Sequence, residues 1–340
     1  MAGSAIASLL DLMFARYAAV FVLTLLFFSG VASQAPALRW YKGNTHTHTL
    51  NSDGDSAPDD VVKWYRQNGY NFVVITDHEY ITPVGPLNSL LGKEGSFLII
   101  SGQEVTDSFD KKPYHMNGLG LERVVMPNRL GGAVATLQKN IDMVRSAGGI
   151  PQINHPNFGW ALTAEHLKQI RDFSLFEVYN GHPLVNNLGG GGSPGTEEIW
   201  DAVLSSGKII YGVADDDSHH FKTRGDRTAA EPGRGWIWVR AAELTPAAIL
   251  NALERGDFYA STGVELSDIS ADKSGIAVMI KAERNSRYRI QFIGKGGSVL
   301  AESIENPAVY KFTGGEGYVR AKVIESNGKL AWTQPVVPGR

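Results

Sequence analysis

The feature that most restricts the fold is an alternation. Between residue 58 and about residue 263, short apolar runs take turns with stretches of helical spacing. The apolar runs are 70–76, 97–101, 149–153, 174–179 and 208–213; the helical stretches are 58–68, 132–147, 163–172, 196–206 and 245–255. Runs rich in Val, Ile, Phe and Tyr with no polar face read as strands covered on both sides, as parallel strands are. The helical stretches carry matching end signals. Residues 58–68 open on Pro58, Asp59 and Asp60 and stop at Asn68-Gly69, while 245–255 open on Thr245-Pro246 and stop at Gly256. Such a chain predicts a parallel sheet or barrel with helices outside. Near Val264 the alternation ends. Runs 275–281, 287–293, 308–312 and 317–324, broken by Gly and Asn turns, predict a small antiparallel β module of sandwich type over 264–340. Gly189 to Gly192, followed by Ser193-Pro194, form a flexible loop within the first domain.

Composition narrows the chemistry. With 32 basic and 35 acidic residues the net charge is −3, so no basic surplus draws the chain onto nucleic acid. There are no cysteines, which excludes thiolate metal sites, disulfides and a cysteine nucleophile. Any metal must be held by imidazole and carboxylate, ligands that suit Zn, Mn or Fe. The N-terminus reads as an export signal over 1–33. Arg16 precedes the apolar run Tyr17 to Phe28, and Val31 and Ser33 suit a cleavage site after Ser33. The apolar run is shorter than the roughly 20 residues of a spanning helix, and an uncleaved anchor is the alternative. Both place the working domain in the periplasm or outside the cell.

Ligand-type side chains gather at the ends of the apolar runs. His46 and His48 have i, i+2 spacing; on a strand they share a face and can grip one ion. The Ser52-Asp53-Gly54 turn returns Asp53 toward the same rim. The strand-like Val73 to Thr76 ends in Asp77-His78, with Asp77 placed to orient His78. Glu104 stands just past its run, where a carboxylate can bridge two cations. His115 and His155 each adjoin an apolar run, and Pro156 ends the strand at His155. Asp215, Asp216 and Asp217 are costly together unless cations neutralise them, and Asp217 and His219 again have i, i+2 spacing. Each group alone also fits a polar strand end, a solvated loop or a hydrogen-bonded core histidine. Their joint appearance, each at the end of its own run, is what a multinuclear site on a barrel rim requires. His166 and His182 are assigned to no metal.

Taken in order, His46-x-His48, Ser52-Asp53-Gly54, Asp77-His78, Glu104, His115, His155 and Asp217-x-His219 resemble the PHP (polymerase and histidinol phosphatase) superfamily of metal-dependent phosphoesterases, over residues 40–263. Glu177-Val-Tyr-Asn180, Gly235-Trp236 and the segment Phe258 to Gly263 are similar to its exported CehA/McbA-like metallohydrolase branch, in which a β module follows the catalytic domain. The resemblance implies an α/β fold, a distorted (β/α)7 barrel, with two or three divalent cations. One would lie among His46, His48, Glu104 and Asp217. A second would lie among Glu104, His115 and His155, with Glu104 bridging, and a third among Asp53, His78 and His219. Some members carry histidine at the position of Asp53.

The expected function is hydrolysis by metal-activated water, with a small-molecule phosphoric ester as the first candidate substrate. Asp77 or His220 could assist proton transfer, and Arg227 and Arg234 could clamp a phosphate. Two other readings stand beside it: a carbamate, amide or carboxylic ester hydrolase on the same site, and a non-catalytic exported binding protein. The complete ligand set speaks against the last.

Overall fold

The structure is a computed structural model and describes residues 37–339. The export signal expected over 1–33 lies outside the described residues. Within them, no helix is long and apolar enough to cross a membrane.

The sheet grows outward from β1 (Arg39–Asn44). On one side β1 pairs in parallel with β2 (Phe72–Ile75), and β2 in parallel with β3 (Leu98–Phe109). Next comes β4 (Lys112–Leu119), antiparallel both to β3 and to β5 (Ile150–Ile153). The parallel pattern then resumes through β6 (Leu175–Asn180) and β7 (Tyr211–Asp215). The connections carry α1 (Pro58–Gln67), α2 (Val84–Leu91), α3 (Ala133–Ser146), α4 (Ala164–Gln169) and α5 (Thr196–Leu204). The strand pattern follows from burial: all four residues of β2 and of β5 are buried, β2 is wholly apolar, and the one polar side chain of β5, Gln152, is hydrogen-bonded to Glu177 and Asp215.

The expected barrel does not close. The second edge of β1 is taken by β8 (Trp236–Ala241), which pairs antiparallel to it from Arg39 to Gly43 and blocks a ladder to β7. Only past the end of β1 do the two sides meet, at a single parallel bridge between Thr47 and Ser218. The sheet instead runs on from β8 to β9 (Phe258–Ser261), β16 (Leu330–Thr333), β15 (Arg320–Glu325), β12 (Tyr288–Gly294) and β13 (Ser298–Ser303), thirteen strands in all. Between β8 and β9 lies α6 (Pro246–Arg255), capped by the Thr245 side chain and ended by Gly256 at φ 76°.

A separate antiparallel sheet of β10 (Leu266–Ala271), β11 (Gly275–Ile280) and β14 (Ala308–Lys311) faces the C-terminal strands of the large sheet. Leu266, Ile276 and Val278 from the small sheet share one apolar core with Ile290, Phe292 and Val323 from the large one. Two elements depart from the alternation expected up to residue 263. Glu104 and His115 sit on a β hairpin, not on loops, and α2 occupies a stretch with no helical signal.

Candidate metal centre

The strands deliver the candidate ligands to one rim. His46 and His48 lie on the extended segment that continues β1, buried, and Asp217 N donates to His46 O at 3.0 Å. Glu104 and His115 come from the β3–β4 hairpin, where Thr106 pairs with His115 and Glu104 with Asn117. His78 and His155 follow β2 and β5; Asp217 and His219 follow β7. Asp217 adopts φ 47°, a left-handed conformation uncommon outside glycine, of the kind that collects at functional sites.

The Glu104 carboxylate is the hub. It is 1% exposed, yet ring nitrogens of five histidines stand around it. His46 Nε2 lies at 3.2 Å, His48 Nε2 at 3.3 Å and His78 Nδ1 at 3.4 Å from Oε2, while His115 Nδ1 at 3.1 Å and His155 Nε2 at 3.2 Å face Oε1. Asp217 Oδ1 lies 3.3 Å from the Nε2 atoms of both His46 and His48. Asp53, half exposed, closes the outer side: its oxygens are 3.4 Å from His78 Nε2 and 3.4 Å from His219 Nε2, and 3.5 Å from His48 Nδ1. The donor atoms thus fall into overlapping clusters. These include His46, His48 and Glu104; His46, His155 and Asp217; Glu104, His115 and His155; and His48, Asp53, His78 and His219. All nine residues singled out as metal ligands are brought together.

Three of these contacts, from His46, His115 and His155 to Glu104, are within hydrogen-bond reach, and the same separations suit cations. Metal–ligand bonds of about 2.0–2.2 Å give polyhedron edges of about 3.0 to 3.5 Å, the spacing seen here. The tautomers point the same way. Glu177, an acceptor only, lies 2.7 Å from His46 Nδ1, so a ring proton sits there and Nε2 is the atom that would hold either a second proton or a cation toward Glu104 and Asp217. His219 Nδ1 likewise meets the Asp217 carbonyl at 2.9 Å, which leaves its Nε2 lone pair toward Asp53. His48 Nε2 is buried without any hydrogen-bond partner. Lone pairs converging on carboxylates repel unless a positive charge stands between them.

Electrostatics reports that demand. Burial opposes charge on His46, but Asp217, Glu104 and Glu177 outweigh it and hold its pKa well above the usual histidine value. His78, similarly opposed by burial, is raised to about 9, chiefly by Glu104 and by its pairing with Asp53. Burial disfavours the charged form of Glu104, yet the surrounding imidazoles hold its carboxyl well below the usual range. The rim strongly attracts positive charge.

A supporting ring orients these ligands. Glu177 takes His46 Nδ1 and the backbone N–H of His155, and Asn154 donates to Glu104 Oε1 at 2.8 Å. Asn180 donates to both Glu177 and Asp217. Burial and the neighbouring Glu177 charge push the Asp215 carboxyl well up, so of this buried pair Glu177 is the ionised member. Sequence reasoning took Glu177 only as part of a resemblance. Its own signal was a lone acid within an apolar run, and once buried there it must find a partner.

The other candidates take different places. Asp77 does not orient the His78 ring; Thr106 Oγ1 receives His78 Nδ1. Asp77 instead accepts hydrogen bonds from Thr49, Ser52 and Thr82 and so pins the turn that carries Asp53. His220 Nδ1 accepts the Ala230 N–H at 3.1 Å and ties down the following loop. The Arg234 guanidinium is spent on the carbonyls of Gly181 and Asp226. Arg227 is exposed, with no side-chain hydrogen bond among the described residues. His182, assigned to no metal, sits at the mouth: its ring centroid is 5.5 Å from that of His219 and 6.1 Å from that of Phe158. Burial brings its pKa down to about 4, with Asp217 opposing the fall and the imidazoles of His219, His155 and His46 adding to it.

No family model matches the chain, and no curated protein matches it. Among solved structures, the chain is similar to a two-domain protein from Bacteroides vulgatus containing a predicted PHP-like metal-dependent phosphoesterase. That match has TM-score 0.52 and 17% identity and covers 88% of this chain and 96% of that one. A weaker likeness, TM-score 0.39 at 15% identity, is to an amidohydrolase from Chromobacterium violaceum, covering 53% of this chain and 88% of that one. The chain is therefore similar in fold to that two-domain protein over most of both chains, and in this chain the fold is an α/β arrangement of a large mixed sheet with a separate antiparallel sheet.

Proposed function

We propose that this chain is an exported, metal-dependent hydrolase of the PHP type whose substrate is a small phosphoric ester. The observation that carries the reading is one buried carboxylate, that of Glu104, ringed by five imidazoles. Two or three divalent cations fit the clusters, and when bound they would supply Lewis acidity and lower the pKa of a water. Glu104 would be shared between the His46–His48–Asp217 and His115–His155 positions, while Asp53, His78 and His219 would hold the outermost.

The chain's own groups account for the rest. Glu177 keeps the His46 proton on Nδ1, so that Nε2 stays a ligand atom. Asp53 is the exposed member of the set, and substrate approaches from its side. Leu184 N–H donates to His182 Nδ1 at 3.2 Å, which leaves the proton on Nε2, a fixed donor for a substrate oxygen at the mouth.

One observation favours a second reading. Arg234 is committed to loop carbonyls, and no arginine or lysine forms an ion pair with a cluster carboxylate among the described residues. A less charged substrate, a carbamate or carboxylic ester, would need no such clamp. A panel of 4-nitrophenyl phosphate, bis-4-nitrophenyl phosphate, 4-nitrophenyl acetate and a 4-nitrophenyl carbamate, assayed with manganese or zinc, separates the two. Metal-dependent turnover confined to the phosphoric esters supports the first reading, and turnover confined to the carbonyl substrates supports the second. No turnover on any of them by metal-loaded protein contradicts both.

A further inference from the structure

Four of the nine candidate ligands come from two stretches of chain that no strand ladder joins. β1 and β7 do not pair, because β8 fills the intervening edge of β1. Past the ends of β1 and β7 the chain is stitched across the gap instead. Asp217 N donates to His46 O at 3.0 Å, His48 N donates to Ser218 O at 2.9 Å, and Thr47 bridges to Ser218. His46, His48, Asp217 and His219 all stand on this seam, so their mutual spacing depends on what holds it shut. Two hydrogen bonds make a short ladder. Asp217 within it has φ 47°, a conformation that a non-glycine residue keeps only where its surroundings over-determine it.

The side chains between the ligands supply the rest. Thr47 lies between His46 and His48, and Ser218 between Asp217 and His219. Thr47 Oγ1 and Ser218 Oγ are 2.6 Å apart. Tyr65, from α1, places its hydroxyl 2.9 Å from Ser218 Oγ and donates to Asp216 Oδ2 at 2.9 Å. Tyr65 has one proton, which Asp216 accepts, so Ser218 donates to Tyr65 and Thr47 donates to Ser218. Asp216 Oδ1 accepts the N–H groups of Arg234 and Gly235 at 2.7 and 3.0 Å, which ties the chain of bonds to the start of β8. Thr47, Tyr65, Asp216 and Ser218 are fully buried, where such bonds are strengthened and water does not compete for them.

A neighbouring tyrosine shows that packing alone does not call for this hydroxyl. Tyr70, whose ring centroid lies 4.9 Å from that of Tyr65, is also buried, yet its hydroxyl meets no partner among the described residues. The Tyr65 oxygen, by contrast, is committed to the seam.

We propose that Tyr65 is a positioning residue of the metal centre: its hydroxyl, acting through Ser218 and Asp216, holds Asp217 and His219 at the spacing from His46 and His48 that a cation needs. The proposal rests on the cluster being a metal centre, and its test separates the two.

The test is Co(II) binding to the metal-free protein, read by competition with a chelator and by the visible absorption bands of the bound ion, which report its ligand geometry. Tyr65→Phe removes one oxygen and keeps the ring. It should weaken binding by about tenfold or more and shift the bands. Tyr70→Phe, which removes a hydroxyl with no partner, should change neither. Ser218→Ala breaks the same chain of bonds from the other end and should act as Tyr65→Phe does, which keeps the test available should the tyrosine variant not fold. The two changes together should cost less than the product of their separate effects, because they interrupt one network. Parental affinity and bands in Tyr65→Phe overturn the proposal, even if the metal-free protein melts at a lower temperature, for the residue is then structural only. An equal loss in Tyr70→Phe overturns it too, by tracing the effect to the core around α1. A parent protein that binds no Co(II) instead removes the metal centre itself, and the positioning role with it.

Discussion

At the scale of single residues, the site is a matter of which atoms carry protons. Glu177 fixes the His46 tautomer and the His155 backbone at once, without being within the cation's reach on the His46–Glu104 side. Glu177→Gln should keep the fold but weaken metal binding by about tenfold or more, read by competition with a chelator. Unchanged affinity would show that the imidazoles need no such partner. Gly54 matters for a steric reason: a Cβ there would stand 2.7 Å from the His48 carbonyl oxygen. Gly54→Ala should therefore displace the Asp53 turn and lower the metal content by about one equivalent, whereas full occupancy would show that the turn adapts. The nine metal-ligand candidates were legible because most adjoin an apolar run, because His46/His48 and Asp217/His219 have an i, i+2 spacing that points two ligands one way, and because all nine stand together in one order. Asp77, His220 and Arg234 were misplaced because sequence proximity does not say which backbone group a side chain will meet. Asp77 met Thr49 and Ser52, and Arg234 met Gly181.

At the scale of elements, helices with capped ends were easy to read and two devices were not. The β3–β4 hairpin turns through Asp110 and Lys111, both at positive φ, with no glycine to announce the turn. Helix α2 contains Gly85 and Pro86, which ordinarily signal a break. The docking of α5 on β15 could be seen only in three dimensions, because Arg320 and Asp201 are far apart in sequence. Burial opposes ionisation of Glu197, but Arg320 and Lys322 outweigh it, and its folded pKa lies below the ordinary 4.5. A depressed carboxyl contributes stability that is fully present above the unfolded pKa and is lost as pH falls through the folded value. Acid titration of stability should thus steepen below about pH 4.5, and Glu197→Gln should remove part of that dependence. Identical pH profiles for the two proteins would contradict the pairing. Asp201→Asn, which leaves the buried guanidinium short of its anion, should cost about 3 kcal/mol or more in denaturant unfolding. A loss within error of zero would mean that Arg320 finds another partner.

At the scale of the whole molecule, the ladder does not pause where the sequence pattern changes. β16 pairs with β9, and Gln334 exchanges hydrogen bonds with the backbone of Gly212 in β7 at 2.8 and 2.9 Å. A chain ending at Gly263 should lose the cooperative thermal transition of the full protein; a soluble fragment melting as the full chain does would refute that coupling. The open edge at β1, taken by β8, had no local signature, because pairing between strands some two hundred residues apart leaves none in either. What the fold achieves is to bring side chains from His46 to His219 onto one rim around Glu104. The most direct test of that arrangement is elemental analysis of the purified protein after reconstitution with manganese or zinc. Two or three divalent metal equivalents per chain are expected, with at least one lost in Glu104→Ala. A chain that retains no stoichiometric metal, or a Glu104→Ala variant that binds as much as the parent, would contradict the account.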